Sequence, residues 1–506
     1  MPAKSPSRQA RIFKNGIYSA LSWVFPIVFA VIVTPVVVRG LGNDIYGLYA
    51  VVLGFISYSF AFGIGKTAAK YVSEYNATGE SDKISETVSA ALWLSLGTGI
   101  AGALIVALTA EYIVSNVLLI PPQMHDTALT ALYLACLTIL VMMLSQVFQS
   151  VLQGLQRFDV FVFLSSLSVF LLNLGSVLIV VEGYGVLTLL IWNLIVAAAI
   201  GAAFYFKARR LLPEFTFRFS IDANLWKASI KYSFSIIAYQ ILGNILLLFE
   251  RGLIVRKFGT QALTFYVVPM MAGFYFSGFV ASLVLVLFPV INELLEDDER
   301  LTRLYRTSSK MILVLTGFFL VTSIVGGRVF LNVWMGDEFA QASYWTLVNH
   351  VLTFSVLSVT IVVWQLNESQ RLASLNAIAT VLWVLISIPL MIALADKWEI
   401  AGIAFARFVG VTVYLGLIFL GEKRFHGRVS YGFWLPTLFR LIAAGLVTGA
   451  TEWITFQVIT PGWLALAAAG LIGGITYSAI LFVTGLAQKE EKQALKALVD
   501  NWWAAK

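Results

Sequence analysis

Only one cysteine, Cys136, occurs in the 506 residues, so no disulfide can close within the chain. The three histidines, His125, His350 and His426, stand far apart, and no Cys or His group has metal-ligand spacing. No glycine-rich loop runs into Lys-Ser or Lys-Thr, which leaves ATP hydrolysis without a phosphate cradle. Charge is the deepest shortage. Asp, Glu, Lys and Arg make up 12% of the chain, where soluble domains carry about 25%. A water-soluble globule of this length would have too few charges to cover its surface, and that class is excluded. Disorder is excluded as well, because low hydrophobicity is its signature and here 59% of residues are hydrophobic and 14% aromatic. With a mean hydropathy of +0.86, the composition is that of a polytopic, all-α membrane protein.

A transmembrane helix needs about 20 mostly apolar residues, and the gaps between charges supply them. Lys14 to Arg39 leaves 24 uncharged residues, Asp44 to Lys66 leaves 21, and Glu86 to Glu111 leaves 24. Continued to the C-terminus, with the run after Glu452 divided at Thr460-Pro461-Gly462, the count reaches about 14 spans. An even number puts both termini on one side. The segments on that side are the N-tail, 64–86, 153–159, 207–231, 292–310, 367–371, 421–430 and the C-tail. They hold 26 of the 34 Lys and Arg, and the opposite loops hold five. By the positive-inside rule both ends are cytoplasmic. The same bias accounts for the net charge of +7 without nucleic acid.

The chain also repeats itself. Arg39-Gly-Leu-Gly42 is followed seven residues later by Tyr49-Ala-Val-Val52, and Arg256-Lys-Phe-Gly259 in the same way by Tyr266-Val-Val-Pro269, at an offset of 217. Gly185-Val186 and Gly402-Ile403 share that offset, while Gln156-Arg157 and Gln370-Arg371 match at 214. These matches predict a duplicated six-helix unit whose copies run parallel. The lobes are residues 1–210 and 225–421, with helices 13 and 14 at 431–486 and a cytoplasmic tail at 487–506. Two such lobes can rock around a central cavity, which is the alternating-access geometry of secondary transporters. Pro26 and Pro35 in the first helix and Pro269 and Pro289 in the eighth mark those helices as the ones expected to bend.

Ionisable residues inside spans are costly, and they usually face a cavity or a partner. Arg407 is the deepest, about 10 Å from the nearest polar edge at 1.5 Å per residue. It stays charged in a protein, so it either lines a hydrated cavity, snorkels, or sits in a structural pair. Glu250 and Arg251 point about 100° apart on their helix, which leaves a cavity role and a lock between helices both open. Lys66 follows Gly63-Ile-Gly65 at the cytoplasmic end of the second span, and Arg39 and Arg256 stand at outer span edges. Arg440 reads as a snorkeller and Glu452 as interfacial. Glu111 and Asp126 read as residues of the longest outer loop, about 110–127. Asn173, Asn193 and Asn244 read as glue between helices.

Several of these residues carry a resemblance. Asn15 with a proline-containing first helix, Arg39-Gly-Leu-Gly-Asn-Asp-Ile-Tyr-Gly-Leu-Tyr49, Gly63-Ile-Gly65 and Tyr71-Val-Ser-Glu-Tyr75 resemble the opening of Wzx-type polysaccharide (O-antigen) flippases. These belong to the multidrug/oligosaccharidyl-lipid/polysaccharide exporter (MOP) superfamily. In the second lobe Glu250-Arg251, Tyr266 and Leu287-Phe-Pro-Val290 are similar to the family's repeated pattern, with Glu250 where Asp is commoner. The resemblance covers roughly 10–421. It implies a flippase of the bacterial inner membrane that moves undecaprenyl-diphosphate-linked oligosaccharide outward for surface polysaccharide such as O-antigen lipopolysaccharide. It further implies coupling to H⁺ or Na⁺, with no other cofactor, and membrane lipids, a glycan polymerase and glycosyltransferases as partners.

A cationic path would hold the anionic diphosphate by charge-assisted hydrogen bonds, and the candidates for it are Arg407, Arg251, Glu250, Arg256, Arg39 and Lys66. A cation-coupled multidrug antiporter of the same fold is the alternative, and it would prefer buried acids in its lobes. An enzyme is not expected, because no ordered catalytic loop or domain stands outside the membrane. The topology is directly testable. Cysteines placed in 64–86, 207–231 and 292–310 should resist reagents that cannot enter the cytoplasm, and cysteines at Asp337 or Asp396 should react with them. Labelling of 292–310 from outside would sink the 14-span count.

Overall fold

The computed structural model describes residues 26–58, 64–213, 215–218, 223–285, 297–370 and 372–486. The tails, the Leu287–Val290 motif with Pro289, Gly63 and the Lys66 side chain lie outside the described residues. Helices and connecting turns make up all of what is described, with no strand among those residues. Hydrocarbon offers backbone groups no partner, so a spanning chain satisfies them within each helix. Among the described residues ten helices are long and apolar enough to cross a membrane. They become eleven if the bent pair Pro26–Leu41 and Asn43–Ile56 is one span. Two of the ten contain a break. Ala223–Leu285 is interrupted at Gly259, and Ala373–Val411 at Trp398 and Glu399. These breaks fall where the charge spacing divides the seventh span from the eighth and the eleventh from the twelfth.

The chain packs as two compact units. One comprises residues up to Val268 together with Asn376–Gly410, and the other Pro269–Leu375 together with the residues from Val411 onward. In the first, Ile64–Thr78 is a short amphipathic helix within a segment read as a cytoplasmic loop. Its Ile64, Ala68 and Val72 recur every four residues and so share one face. That face packs on Val88 of Ser81–Tyr112 and on Ile139, Met143 and Val147 of His125–Gly154. The second unit has a separate core. Leu313, Leu441, Ala444, Tyr477 and Leu481 join Asp298–Met335, Tyr431–Val458 and Trp463–Val483.

The internal duplication is visible in the backbone. Gly42 and Gly259, 217 residues apart, both adopt φ of 81° and both interrupt a helix. The same spacing relates Leu119 (φ 52°) to Gly336 (φ 108°), two further turns between helices. Around the first pair the copies touch reciprocally. A Cβ on Gly47 would collide with the Thr260 carbonyl, and the Thr264 hydroxyl donates to the Asn43 carbonyl at 2.6 Å. Thr260 is the counterpart of Asn43, and Thr264 that of Gly47. A contact of i with j matched by one of j with i is the mark of a two-fold axis. The Thr260 hydroxyl also donates to Asp44 at 3.0 Å.

One expectation changes. The helix beginning at Ser81 runs to Tyr112 and continues as a π-turn, Ile113–Val117, while the next helix starts at His125. Glu111 is therefore in a last helical turn and Asp126 in a first turn, and the true link is only a few residues around Pro121 and Pro122. An acid in a first turn is favoured by the helix dipole, so Asp126 does not have to be a loop residue. The helical runs themselves break at Gly259 and at Trp398–Glu399, where φ turns positive, and Pro269 lies inside a helical run. Proline removes one hydrogen bond, whereas a positive φ turns the chain outright.

Gly47→Ala tests the reciprocal contact. The added methyl meets backbone, which cannot rotate away, so the variant should lose about 1–3 kcal/mol. Thermal unfolding of the purified protein should register it as a lower midpoint, while Gly79→Ala, with nothing within 4 Å of a Cβ, reports the cost of a positive φ alone.

Candidate functional site

Arg407 and Glu250 are 157 residues apart and form one ion pair. Arg407 Nη1 donates to Glu250 Oε2 at 2.5 Å. The side chains are 7% and 1% exposed, so the pair is almost wholly removed from solvent. Taking either charge out of water alone would cost several kcal/mol, and the partner offsets that cost. The break at Trp398–Glu399 makes the geometry available by folding the chain back on itself. Trp383, in the helical stretch before the break, donates its indole N–H to the Arg407 carbonyl at 3.3 Å. The guanidinium lies 5.3 Å from the centroid of the same ring, within cation–π range. Gly410 permits the close approach, since a Cβ there would collide with Ser387 Oγ and lie 3.0 Å from Trp383.

Arg251 points elsewhere, as the 100° offset requires. It is buried, donates to the Ala50 carbonyl of Asn43–Tyr58, and lies against Gly54. Tyr266, fully buried, stands within electrostatic reach of Glu250, Arg407 and Arg251. Among the described residues the cluster holds two cations, Arg251 and Arg407, and one anion, Glu250. Asn193, from another helix, donates to the Tyr49 hydroxyl at 3.0 Å.

The remaining candidates are placed differently. Arg256 is exposed and donates to the Asn116 carbonyl at 3.1 Å. Its neighbour Lys257 pairs with Asp396 at 2.5 Å. Arg39 is exposed in the last turn of Pro26–Leu41, and the Lys66 side chain lies outside the described residues. Glu452 departs from its expected interfacial position. It is fully buried, its Oε1 accepts from the Thr322 hydroxyl at 2.9 Å, and Gly473 leaves room for it. Nearness to the end of a span in sequence misleads here, because the neighbouring helices cover that end. Trp383 and the Ala50 carbonyl carry no sequence signal as partners, and only the fold brings them to the cluster.

Solved structures show what fold this is. The lipid II flippase MurJ, in an inward closed conformation, superposes with a TM-score of 0.73 at 13% identity, over 93% of this chain and 99% of that one. A multidrug resistance MATE transporter of the MOP superfamily, facing inward, gives 0.69 at 12% identity, over 81% and 98%. A MOP transporter from Pyrococcus furiosus, described as having a binding pocket of reverse polarity, gives 0.63 at 12%, over 84% and 99%. The protein is thus a multi-pass membrane protein with the fold of the MOP-superfamily transporters. Residues 12–295 match the polysaccharide biosynthesis protein family, and the chain belongs to it. That membership and the fold bear out the resemblance read from the Arg39–Tyr49 and Glu250–Arg251 motifs. No curated protein matches the sequence.

The pair can be tested on its own terms. Arg407→Ala leaves Glu250 buried without its cation, a loss of about 3–5 kcal/mol. Arg407→Ala combined with Glu250→Ala should recover most of it. Thermal melts of the four proteins give the coupling directly, and strictly additive losses would show that the two charges do not stabilise each other.

Proposed function

We propose that the protein is a flippase that moves lipid-linked oligosaccharide from the cytoplasmic to the outer leaflet of the bacterial inner membrane by alternating access. The lobes are residues 1–210 and 225–421, and both termini are cytoplasmic. The observation that carries the reading is the buried cluster of Glu250, Arg251 and Arg407 inside a chain of this family. An arginine fork takes phosphate as readily as carboxylate. Glu250 therefore holds Arg407 until the diphosphate of the cargo replaces it. The carboxylate released by that exchange is the seat for the H⁺ or Na⁺ that couples the cycle. The prenyl chain stays in lipid throughout. Glycosyltransferases supply the cargo and a polymerase receives it. The chemistry is transfer across the membrane with no covalent step.

Two cations against one anion among the described residues of the cluster favour an anionic cargo over a cationic drug. Cells lacking the protein should accumulate lipid-linked glycan on the cytoplasmic leaflet and keep normal tolerance of cationic dyes. In complemented cells Arg407→Lys should retain partial export, because the charge survives without the bidentate fork. The Arg407→Ala/Glu250→Ala pair should insert and fold but export little. Hypersensitivity to ethidium-like cations with normal surface glycan would instead establish the antiporter.

A further inference from the structure

The chain that joins the two lobes is fastened rather than slack. Val186–Leu211 closes the first lobe, and Ala223–Leu285 opens the second. Between them Phe215–Arg218 lies along the flank of Ser81–Tyr112. It meets Asp82, Ser85, Glu86, Ser89 and Trp93, whose spacing puts them on one helix face. The Thr216 backbone N–H donates to the Ser85 hydroxyl at 3.4 Å, and the Arg218 N–H to the Ser89 hydroxyl at 3.0 Å. One turn further on, the Arg218 carbonyl accepts the Trp93 indole N–H at 3.3 Å. Two repeats that nearly agree set this register. Two residues of extended chain advance about 6.6 Å, and four residues of helix about 6 Å. Every second residue of the segment therefore meets the next turn of the helix.

Side chains complete the fastening. Phe215 packs against the apolar cluster that contains Ile84, Val88 and Ala208, and the Arg209 guanidinium lies 5.8 Å from the centroid of its ring. Phe217 meets the Trp93 ring at 5.4 Å. The Arg218 guanidinium reaches back along the helix to Glu86 at 3.0 Å and to Asp82. None of these ties is deep. Thr216 and Phe217 are exposed, Asp82 is 87% exposed, and both backbone donors are held by neutral hydroxyls. Such bonds are individually modest, and segments with few buried apolar contacts open before the core does. The segment can therefore leave the helix while the first lobe stays folded.

Chain length gives the fastening a consequence. Ala223 is five residues beyond Arg218, so while the segment is fastened its helix starts within about 18 Å of Arg218. Unfastened, that helix is tied only to Leu211, twelve residues back, and its start can lie as far as about 43 Å away. We propose that Phe215–Arg218 is a releasable strap. Fastened, it limits how far the second lobe draws away from the first on the cytoplasmic side, and its release widens the entrance for an oligosaccharide head group. The cargo and the side rest on the flippase reading above, whereas the fastening and the reach are properties of the chain itself.

Spin labels on cysteines introduced at Asn76 and Ala223, in a Cys136→Ser chain, read the tether without any cargo. Double electron–electron resonance on the purified full-length protein should show one narrow, short distance population. Adding Ser85→Ala/Ser89→Ala, or separately Asp82→Asn/Glu86→Gln, should bring in a longer one. Thermal melts identify a variant that has lost its fold, and the carboxylate pair carries the comparison if the hydroxyl pair does not fold. The converse variant is Ser85→Cys/Thr216→Cys in the same Cys136→Ser background. In inside-out membrane vesicles it should lose most translocation of the cell's own undecaprenyl-diphosphate-linked glycan after oxidation with copper phenanthroline, and regain it with dithiothreitol. Unchanged label distances in both release variants overturn the proposal, as does undiminished translocation with the strap fully cross-linked. Absence of glycan translocation in every chain, the wild type included, would sink the flippase reading, and the label distances would then decide the strap by themselves.

Discussion

A guanidinium cannot shed its charge inside a membrane. Once Arg407 is placed deep in an apolar helix, the surrounding structure has to supply an anion, and Glu250 does so at 2.5 Å. The demand extends outward from there. Trp383 must come within reach of the same guanidinium, which requires the chain reversal at Trp398–Glu399. Arg251, adjacent to Glu250, must find its own acceptor, and the Ala50 carbonyl gives it one where Gly54 leaves room. A single permanent charge thereby ties Asn43–Tyr58 to portions of the runs Ala223–Leu285 and Ala373–Val411.

Much of the frame is legible in the sequence because hydrocarbon imposes a simple rule, and charge spacing reports it. The gaps around Gly259 and Glu399 separate spans even though the helical run there is continuous, and positive φ marks the same two points. The depth of Arg407 singles it out from charge spacing alone. Its partner is not legible in that way. Glu250 is 157 residues distant, and sequence offers equal reasons to pair Arg407 with water, headgroups or another acid. Glu452 shows the converse failure, since position along a helix does not say what other helices cover it. The helical runs break where φ turns positive, at Gly259 and at Glu399, and no proline stands at either point.

Two scales of evidence support the duplication. The residue matches at 217 are few, and alone they would be modest. The backbone adds Gly42 with Gly259 and Leu119 with Gly336, conformations that L-residues rarely adopt and that turn helices at corresponding points. The reciprocal contacts of Asn43 and Gly47 with Thr264 and Thr260 then supply the symmetry element itself. Small residues at such a crossing allow backbones to approach, which is how helices associate where lipid removes the hydrophobic drive.

A fused pair of repeats is released from a constraint that binds a homodimer: its halves can diverge. The positions matching Glu250, Arg251 and Arg407 in the first copy are Val33, Thr34 and Leu190, all buried and none charged. A symmetrical dimer with this chemistry would bury two such ion pairs and so double the desolvation cost. Joining the copies in one chain leaves these charges in one half, while the other half carries Val33, Thr34 and Leu190 at the matching positions. Divergence therefore halves the number of charges that this part of the fold has to take out of water.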